Sequence, residues 1–241
     1  EQKEAADRNF KLARDAVDEL TTVSQDELFN LPRMEPVRKA LLQKAKEFYE
    51  TFVEQAAEDP ELMAELGKAH WRLGTIYHSL EDLSGAKAEH EKAISVFSQL
   101  VKDHPEVLVF GSNLAKSYTL LGNVIHISAG QTDEAIELYN KAILGYKQLV
   151  KDHPDVPEYA RGLAASYNNL GLVLDALKQI DEAIGLFNRA ITLKEQLAKD
   201  YPHTPENASS LAVSYYNLAN MLSDIGRTDD AIELFTKAIT I

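Results

Sequence analysis

Gln99-Leu-Val-Lys-Asp-His-Pro-Glu-Val107 returns almost unchanged as Gln148-Leu-Val-Lys-Asp-His-Pro-Asp-Val156, and once more as Gln196-Leu-Ala-Lys-Asp-Tyr-Pro-His-Thr204. The spacing is 49 and then 48 residues (148 − 99 and 196 − 148). A period of this length belongs to a stacked structural unit that buries its apolar face only against its neighbours, so the chain is expected to be a solenoid with no single shared core.

Working outward, the string Leu-Ala-x-Ser-Tyr-x-x-Leu occupies 114–121, with close copies at 163–170 and 211–218 and a divergent one, Leu66-Gly-Lys-Ala-His-Trp-Arg-Leu73, before them. Gly74, Gly122, Gly171 and Ala219 follow, small residues where helices must approach closely. A second helix then opens on Gly130-Gln-Thr-Asp-Glu-Ala135, Gln179-Ile-Asp-Glu-Ala183 and Gly226-Arg-Thr-Asp-Asp-Ala231. Carboxylates in a first turn suit the positive end of the helix dipole. Ala135, Ile136, Tyr139, Ala142, Ile143, Tyr146 and Val150 recur at three- and four-residue spacing, the mark of one buried stripe. The unit is therefore a helical hairpin, and the fold class is all-α. Each Lys-Asp-His/Tyr-Pro segment ends one hairpin and starts the next, because proline lacks a backbone donor and disfavours helix in the residue before it.

The expected organisation is an N-terminal capping hairpin over 1–59 and four repeats over 60–105, 106–154, 155–202 and 203–241, the last truncated. The hairpin is read from Ala6, Phe10, Ala13, Val17 and Leu20, then Leu41, Ala45, Phe48 and Phe52, with Pro32 between. In the last repeat, Asp229 to Ile239 matches Asp181 to Ile191, but the earlier copy runs on to Asp200. Phe235, Ile239 and Ile241 are thus expected to stay partly uncovered, which favours a homo-oligomer through this end.

Net charge is −13, which disfavours a nucleic-acid backbone as partner. There is no cysteine, so disulfides and thiolate metal sites are excluded and the compartment stays open. No apolar run nears the ~20 residues that span a bilayer, so no membrane contact is expected. Glu1 begins without an initiator methionine or a signal pattern, and the chain reads as a soluble fragment.

Ser214-Tyr-Tyr-Asn-Leu-Ala-Asn220, followed by Ala231, Phe235 and Ala238, resembles the tetratricopeptide repeat. The Leu-Gly slot is Leu73-Gly74, Leu121-Gly122, Leu170-Gly171 and Leu218-Ala219; the small-aromatic-small trio is Ala135/Tyr139/Ala142, Ala183/Phe187/Ala190 and Ala231/Phe235/Ala238. In the first repeat the trio is Ala86/His90/Ala93, where His90 departs from the pattern. The family repeat is 34 residues, so these copies are long variants of about 48. The resemblance implies a right-handed α-solenoid that is not an enzyme, needs no cofactor, and binds a protein or peptide in its concave groove. A narrower resemblance, carried by Ala6 to Val17, Leu31 to Leu42 and the long repeats, is to the C-terminal region of large bacterial serine/threonine protein kinases. It implies a kinase domain and a membrane span upstream, which would make the array extracytoplasmic; otherwise it is cytoplasmic. No Gly-rich loop, His-Arg-Asp or Asp-Phe-Gly string occurs in these 241 residues.

Candidate chemistry is sparse. His153-Pro154-Asp155 spells a co-chaperone tripeptide, but His104-Pro-Glu106 and Tyr201-Pro-His203 fill the same slot, which favours a recurring turn. His78 and His126 share a slot one repeat apart without carboxylates beside them, so no metal is expected. Asn207-Ala-Ser209 fits a glycosylation acceptor or a helix start. By the resemblance, the first helix of each repeat lines the groove. Its candidates are Lys68, Trp71 and Arg72; Lys116 and Asn123; Asn168 and Asn169; and Tyr216, Asn217 and Asn220. A carboxamide offers a donor and an acceptor, so stacked Asn side chains could pair with an extended backbone. Lys68, Arg72 and Lys116 would add selectivity for a carboxylate. A known carboxylate clamp of the family uses the same residue types in another order, with Lys where this chain has Trp71. Three functions are consistent with these residues: an interaction module, a sensor controlling a tethered kinase, and a structural spacer.

Overall fold

The computed structural model describes residues 13–22, 34–56, 63–127 and 132–241, and no strand occurs among them. Ala6, Phe10, Pro32 and Gly130 of the sequence reading lie outside the described residues. The chain forms two compact units, Glu1–Asp103 and His104–Ile241.

The first unit holds α1 (residues 13–22), α2 (Glu35–Ala56), α3 (Met63–Ser79) and α4 (Leu83–Asp103). Leu42, Ala45, Tyr49 and Phe52 of α2 pack on Leu66, Ala69, Leu73 and Ile76 of α3. The buried stripe of α2 is thus turned by one residue from the Leu41/Phe48 register expected. Tyr49 accounts for this: its ring fills the core while its hydroxyl donates to Asp18 of α1. The inner face of α1 also differs from the reading. Arg14, Val17 and Asp18 are half-buried, whereas Ala13 and Leu20 are exposed. Ion pairing decides this, since Arg14 bonds Glu65 at 2.6 Å and Asp18 meets Arg72 at 2.5 Å.

The second unit holds α5 (Leu108–Ile127), α6 (Thr132–Asp152), α7 (Pro157–Ala176), α8 (Ile180–Asp200), α9 (Pro205–Asp224) and α10 (Thr228–Thr240). Each helix packs on the next, and α5 touches α7 as α7 touches α9, so the first helices of successive hairpins form one layer. The buried face of α6 is Ala135, Leu138, Tyr139, Ala142, Ile143, Tyr146 and Leu149, with Ile136 and Val150 half-buried.

The links obey two local rules. Between hairpins, the Val107, Val156 and Thr204 N–H groups donate to the carbonyls of His104, His153 and Tyr201 at 3.0, 3.3 and 3.2 Å, closing β-turns with Pro105, Pro154 and Pro202 at the second position. Proline is pre-set for that position, so His153-Pro154-Asp155 is a turn. A further proline, Pro157 or Pro205, then opens the next helix. Inside hairpins, the Asp82, Gln179 and Arg227 N–H groups donate to the carbonyls of Tyr77, Leu174 and Leu222, five residues back. This Schellman closure needs a left-handed residue, filled by Glu81 (φ 66), Lys178 (φ 61) and Gly226 (φ 81).

Candidate functional site

In the first three repeats the glycine after the Leu receives a ring from the second helix. A Cβ on Gly74 would meet the His90 ring at 2.5 Å, one on Gly122 the Tyr139 ring at 2.8 Å, and one on Gly171 the Phe187 ring at 3.1 Å. His90 therefore replaces the aromatic of the trio and lies buried in the core. Burial and the nearby His78 push its pKa down to about 4, so the ring is neutral, and its Nδ1 has no hydrogen-bond partner among the described residues. One slot further along α4, α6 and α8 stand Phe97, Tyr146 and Lys194, a lysine where two repeats carry a ring. Its Nζ donates to the Ser210 carbonyl at 2.9 Å and Ser214 Oγ at 2.7 Å, and burial lowers its pKa to about 8. Nothing in the sequence except the break in this slot signals it.

The groove candidates of the first unit are engaged within that unit. Arg72 pairs with Asp18 and lies over the Tyr49 ring, 5.6 Å from its centroid; Lys68 pairs with Glu65 at 2.8 Å; Trp71 rests against Phe97 at 5.4 Å. The basic residues of α3 are thus matched by carboxylates on α1 and α3 itself. In the second unit the carboxamides are cross-ties between repeats. Asn123 Oδ1 accepts from the Tyr139 hydroxyl and from Asn169 Nδ2, both at 2.8 Å. Asn168 is buried between α7 and α9, and its Oδ1 accepts from Ser214 Oγ at 3.1 Å and Asn217 Nδ2 at 3.3 Å. Thr119 and Ser166 share a bond of 2.9 Å. Asn207, which the sequence offered only as a glycosylation acceptor or a helix start, is a buried tie in the first turn of α9 that accepts from Arg161 at 3.0 Å and donates to the Leu197 carbonyl at 3.2 Å. It belongs to the packed interior, and the sequence string around it opens a helix.

What remains on one face of the first-helix layer is a stripe at three- and four-residue spacing. It runs through exposed Lys116 and half-buried Asn123 on α5, half-buried Asn169 and exposed Leu172 on α7, and exposed Val213 with half-buried Asn217 and Asn220 on α9. Tyr216 stands apart. Its equivalents Thr119 and Asn168 are covered by α7 and α9, whereas Tyr216 is 54% exposed and touches Phe235 edge-on at 5.7 Å.

Sequence models of the tetratricopeptide repeat match residues 113–196, and again 67–99 and 212–241. The chain belongs to the tetratricopeptide-repeat family. This repeat is a non-catalytic interaction scaffold. Among solved structures, BtubC (BKLC) from P. vanneervenii is similar over 96% of this chain and 90% of that one, at 16% identity and a TM-score of 0.65. A Podosopora anserina putative kinesin light chain with nearly identical TPR-like repeats is similar over 94% of this chain and 95% of that one, at 19% identity and a TM-score of 0.55. The apo form of RapI is similar over 85% of this chain and 50% of that one, at 14% identity and a TM-score of 0.57. At these identities the likeness establishes the fold. No curated protein matches the sequence. Among the described residues, no helix is long and apolar enough to cross a membrane, and no group of three or more His, Asp and Glu is placed to hold a metal.

Proposed function

We propose that the chain is a protein-interaction module that holds an extended segment or partner helix along the first-helix layer of the second unit. The observation that carries this is the stripe itself: side chains of α5, α7 and α9 tie the helices side by side while Leu172 and Val213 stay open to solvent beside half-buried carboxamides. Asn169 and Asn217 each commit one N–H between repeats, so each offers its acceptor oxygen and its second N–H to a ligand backbone. A peptide array probed with the purified chain tests the reading. Leu172→Glu with Val213→Glu is expected to weaken capture at least tenfold at unchanged thermal stability, and undiminished capture by that variant would refute it. The resemblance to kinase C-terminal regions supports a placement of this module beside a catalytic domain as its sensor; kinase strings and a span of ~20 apolar residues in the upstream reading frame test it.

We also infer self-association through the apolar face of α10 that carries Ile239. Ile239 is 83% exposed, whereas its equivalents Ile143 and Ile191 are each 7% exposed beneath the following helix. Sedimentation at rising concentration should show a dimer that Ile239→Glu abolishes; a wild-type chain that stays monomeric would exclude it.

A further inference from the structure

The face of the second helices holds two crevices built from the same repeat positions, and comparing them separates a binding site from packing. The first, of about 610 Å³, opens between α6 and α8 over Ile136, Leu170, Leu174 and Leu186. The second, of about 200 Å³, opens between α8 and α10 over Ile184, Leu218, Leu222 and Leu234. Each floor residue of the first crevice has its counterpart 48 positions on in the second, so the apolar floor is the same. The rims differ. In the second crevice Glu233 projects from the wall and pairs with Lys237 at 2.7 Å, and Asp230 is neutralised by Arg227 at 2.6 Å. In the first, Gly185 stands at the Glu233 position and leaves the mouth open, with nothing within 4 Å of where a Cβ would lie. Gln179 stands at the Arg227 position, so Glu182 has lost the cation its counterpart keeps. Asp181 and Glu182 make no ion pair among the described residues. Arg189, on the same rim, is two helical turns from Glu182, about 10 Å along the axis, and its guanidinium is turned over the Tyr167 ring at 5.9 Å.

We propose that the crevice between α6 and α8 is a second binding site, for a peptide segment that inserts one Leu- or Phe-sized side chain and sets a Lys or Arg against Asp181 and Glu182. The apolar floor supplies area, in the way of most ligand clefts. The two carboxylates select a basic flank by charge complementarity and make the contact salt-sensitive. The site lies on the opposite layer from the stripe of Leu172 and Val213, so it does not rest on the function proposed above.

A library of randomised seven-residue peptides on phage, selected on the wild-type chain and counter-selected on Gly185→Glu, tests the proposal. Gly185→Glu installs the side chain that the sister crevice carries. Enriched peptides should place Lys or Arg within two residues of a large apolar residue. A synthetic peptide of the enriched sequence should bind the wild type at least tenfold more tightly than G185E or E182Q, and its affinity should fall as salt rises. Gly185→Ala, which leaves most of the mouth open, should keep binding within about threefold, so a loss confined to G185E is not a folding defect. Leu172→Glu with Val213→Glu should leave this peptide's affinity unchanged. The proposal is overturned if selection yields nothing that distinguishes the wild type from G185E, or if the enriched peptides are acidic. It is equally overturned if G185E instead abolishes self-association of the chain, because the occupant would then be a second copy.

Discussion

Replacing Lys194 with Met should stabilise the second unit at neutral pH and do so less as pH rises. Lys194 is 8% exposed, between α8 and α9, with two hydrogen-bond acceptors on its amine and no ion pair among the described residues. An ordinary lysine titrates at 10.5, against about 8 for Lys194. At about 1.36 kcal/mol per tenfold, the charged form costs the fold about 3 kcal/mol. Because the folded value is depressed, the unfolded chain binds more protons between pH 8 and 10.5. Stability contributed by this site therefore rises with pH through that window and the full cost is borne below pH 8. Methionine keeps most of the stem volume and removes the charge, but forfeits hydrogen bonds of roughly 1 kcal/mol each. K194M is thus expected to gain roughly 1 kcal/mol at pH 7 and to lose roughly 1 kcal/mol at pH 10. Urea unfolding followed by circular dichroism at both pH values, with an NMR titration of the Lys194 side chain, measures it. A difference between K194M and wild type that is the same at pH 7 and pH 10 would refute the reasoning, as would an amine titrating near 10.5.

Three further substitutions bear on the repeat slots. His90→Phe restores the ring of the trio beside Gly74 and removes an unpartnered Nδ1; because His90 titrates at about 4 in the fold against an ordinary 6.5, the wild-type first unit should lose up to about 3 kcal/mol between pH 6.5 and 4, and H90F should flatten that acid limb in thermal melts. Lys178→Gly relieves a left-handed residue at φ 61 and should raise stability by roughly 1 kcal/mol in urea unfolding; a destabilised variant would show that the side chain, and not the backbone, governs the turn. Gly122→Ala and Gly185→Ala should move in opposite directions, the first losing roughly 1–3 kcal/mol against the Tyr139 ring, the second gaining up to about 1 kcal/mol from helix propensity at an uncrowded site. Melting temperatures of the pair check this, and a shared sign would contradict the close approach inferred at Gly122.

The hairpins were legible because their determinants are local. The proline of each His-Pro or Tyr-Pro turn, the acidic first turns of α6, α8 and α10, and the small slot before each ring lie within a few residues of the structure they specify. Small residues where helices approach closely were legible in the same way, and the structure supplies their partners, the rings of His90, Tyr139 and Phe187. The one-residue rotation of α2 was not legible, because Leu41 and Leu42 are equivalent to any periodicity and only the reach of the Tyr49 hydroxyl to Asp18 separates them. The charged face of α1 was hidden for a like reason: Ala13, Val17 and Leu20 read as an apolar stripe until Glu65 and Arg72 are brought opposite Arg14 and Asp18.

The sequence alone determined that this chain is a stack of long helical hairpins, since a repeat whose apolar face recurs every 48 or 49 residues can bury it only against its own copies. Only the tertiary structure decided what the polar residues on those helices do. Asn123, Asn168 and Asn169 carry the same groups whether they face a ligand or each other, and it is the lateral contact of α5, α7 and α9 that commits them as ties between repeats. Likewise Gly185 and Gln179 are unremarkable residues in a helix and a turn, and become the open rim of a crevice only where α6 and α8 stand apart over a shared apolar floor.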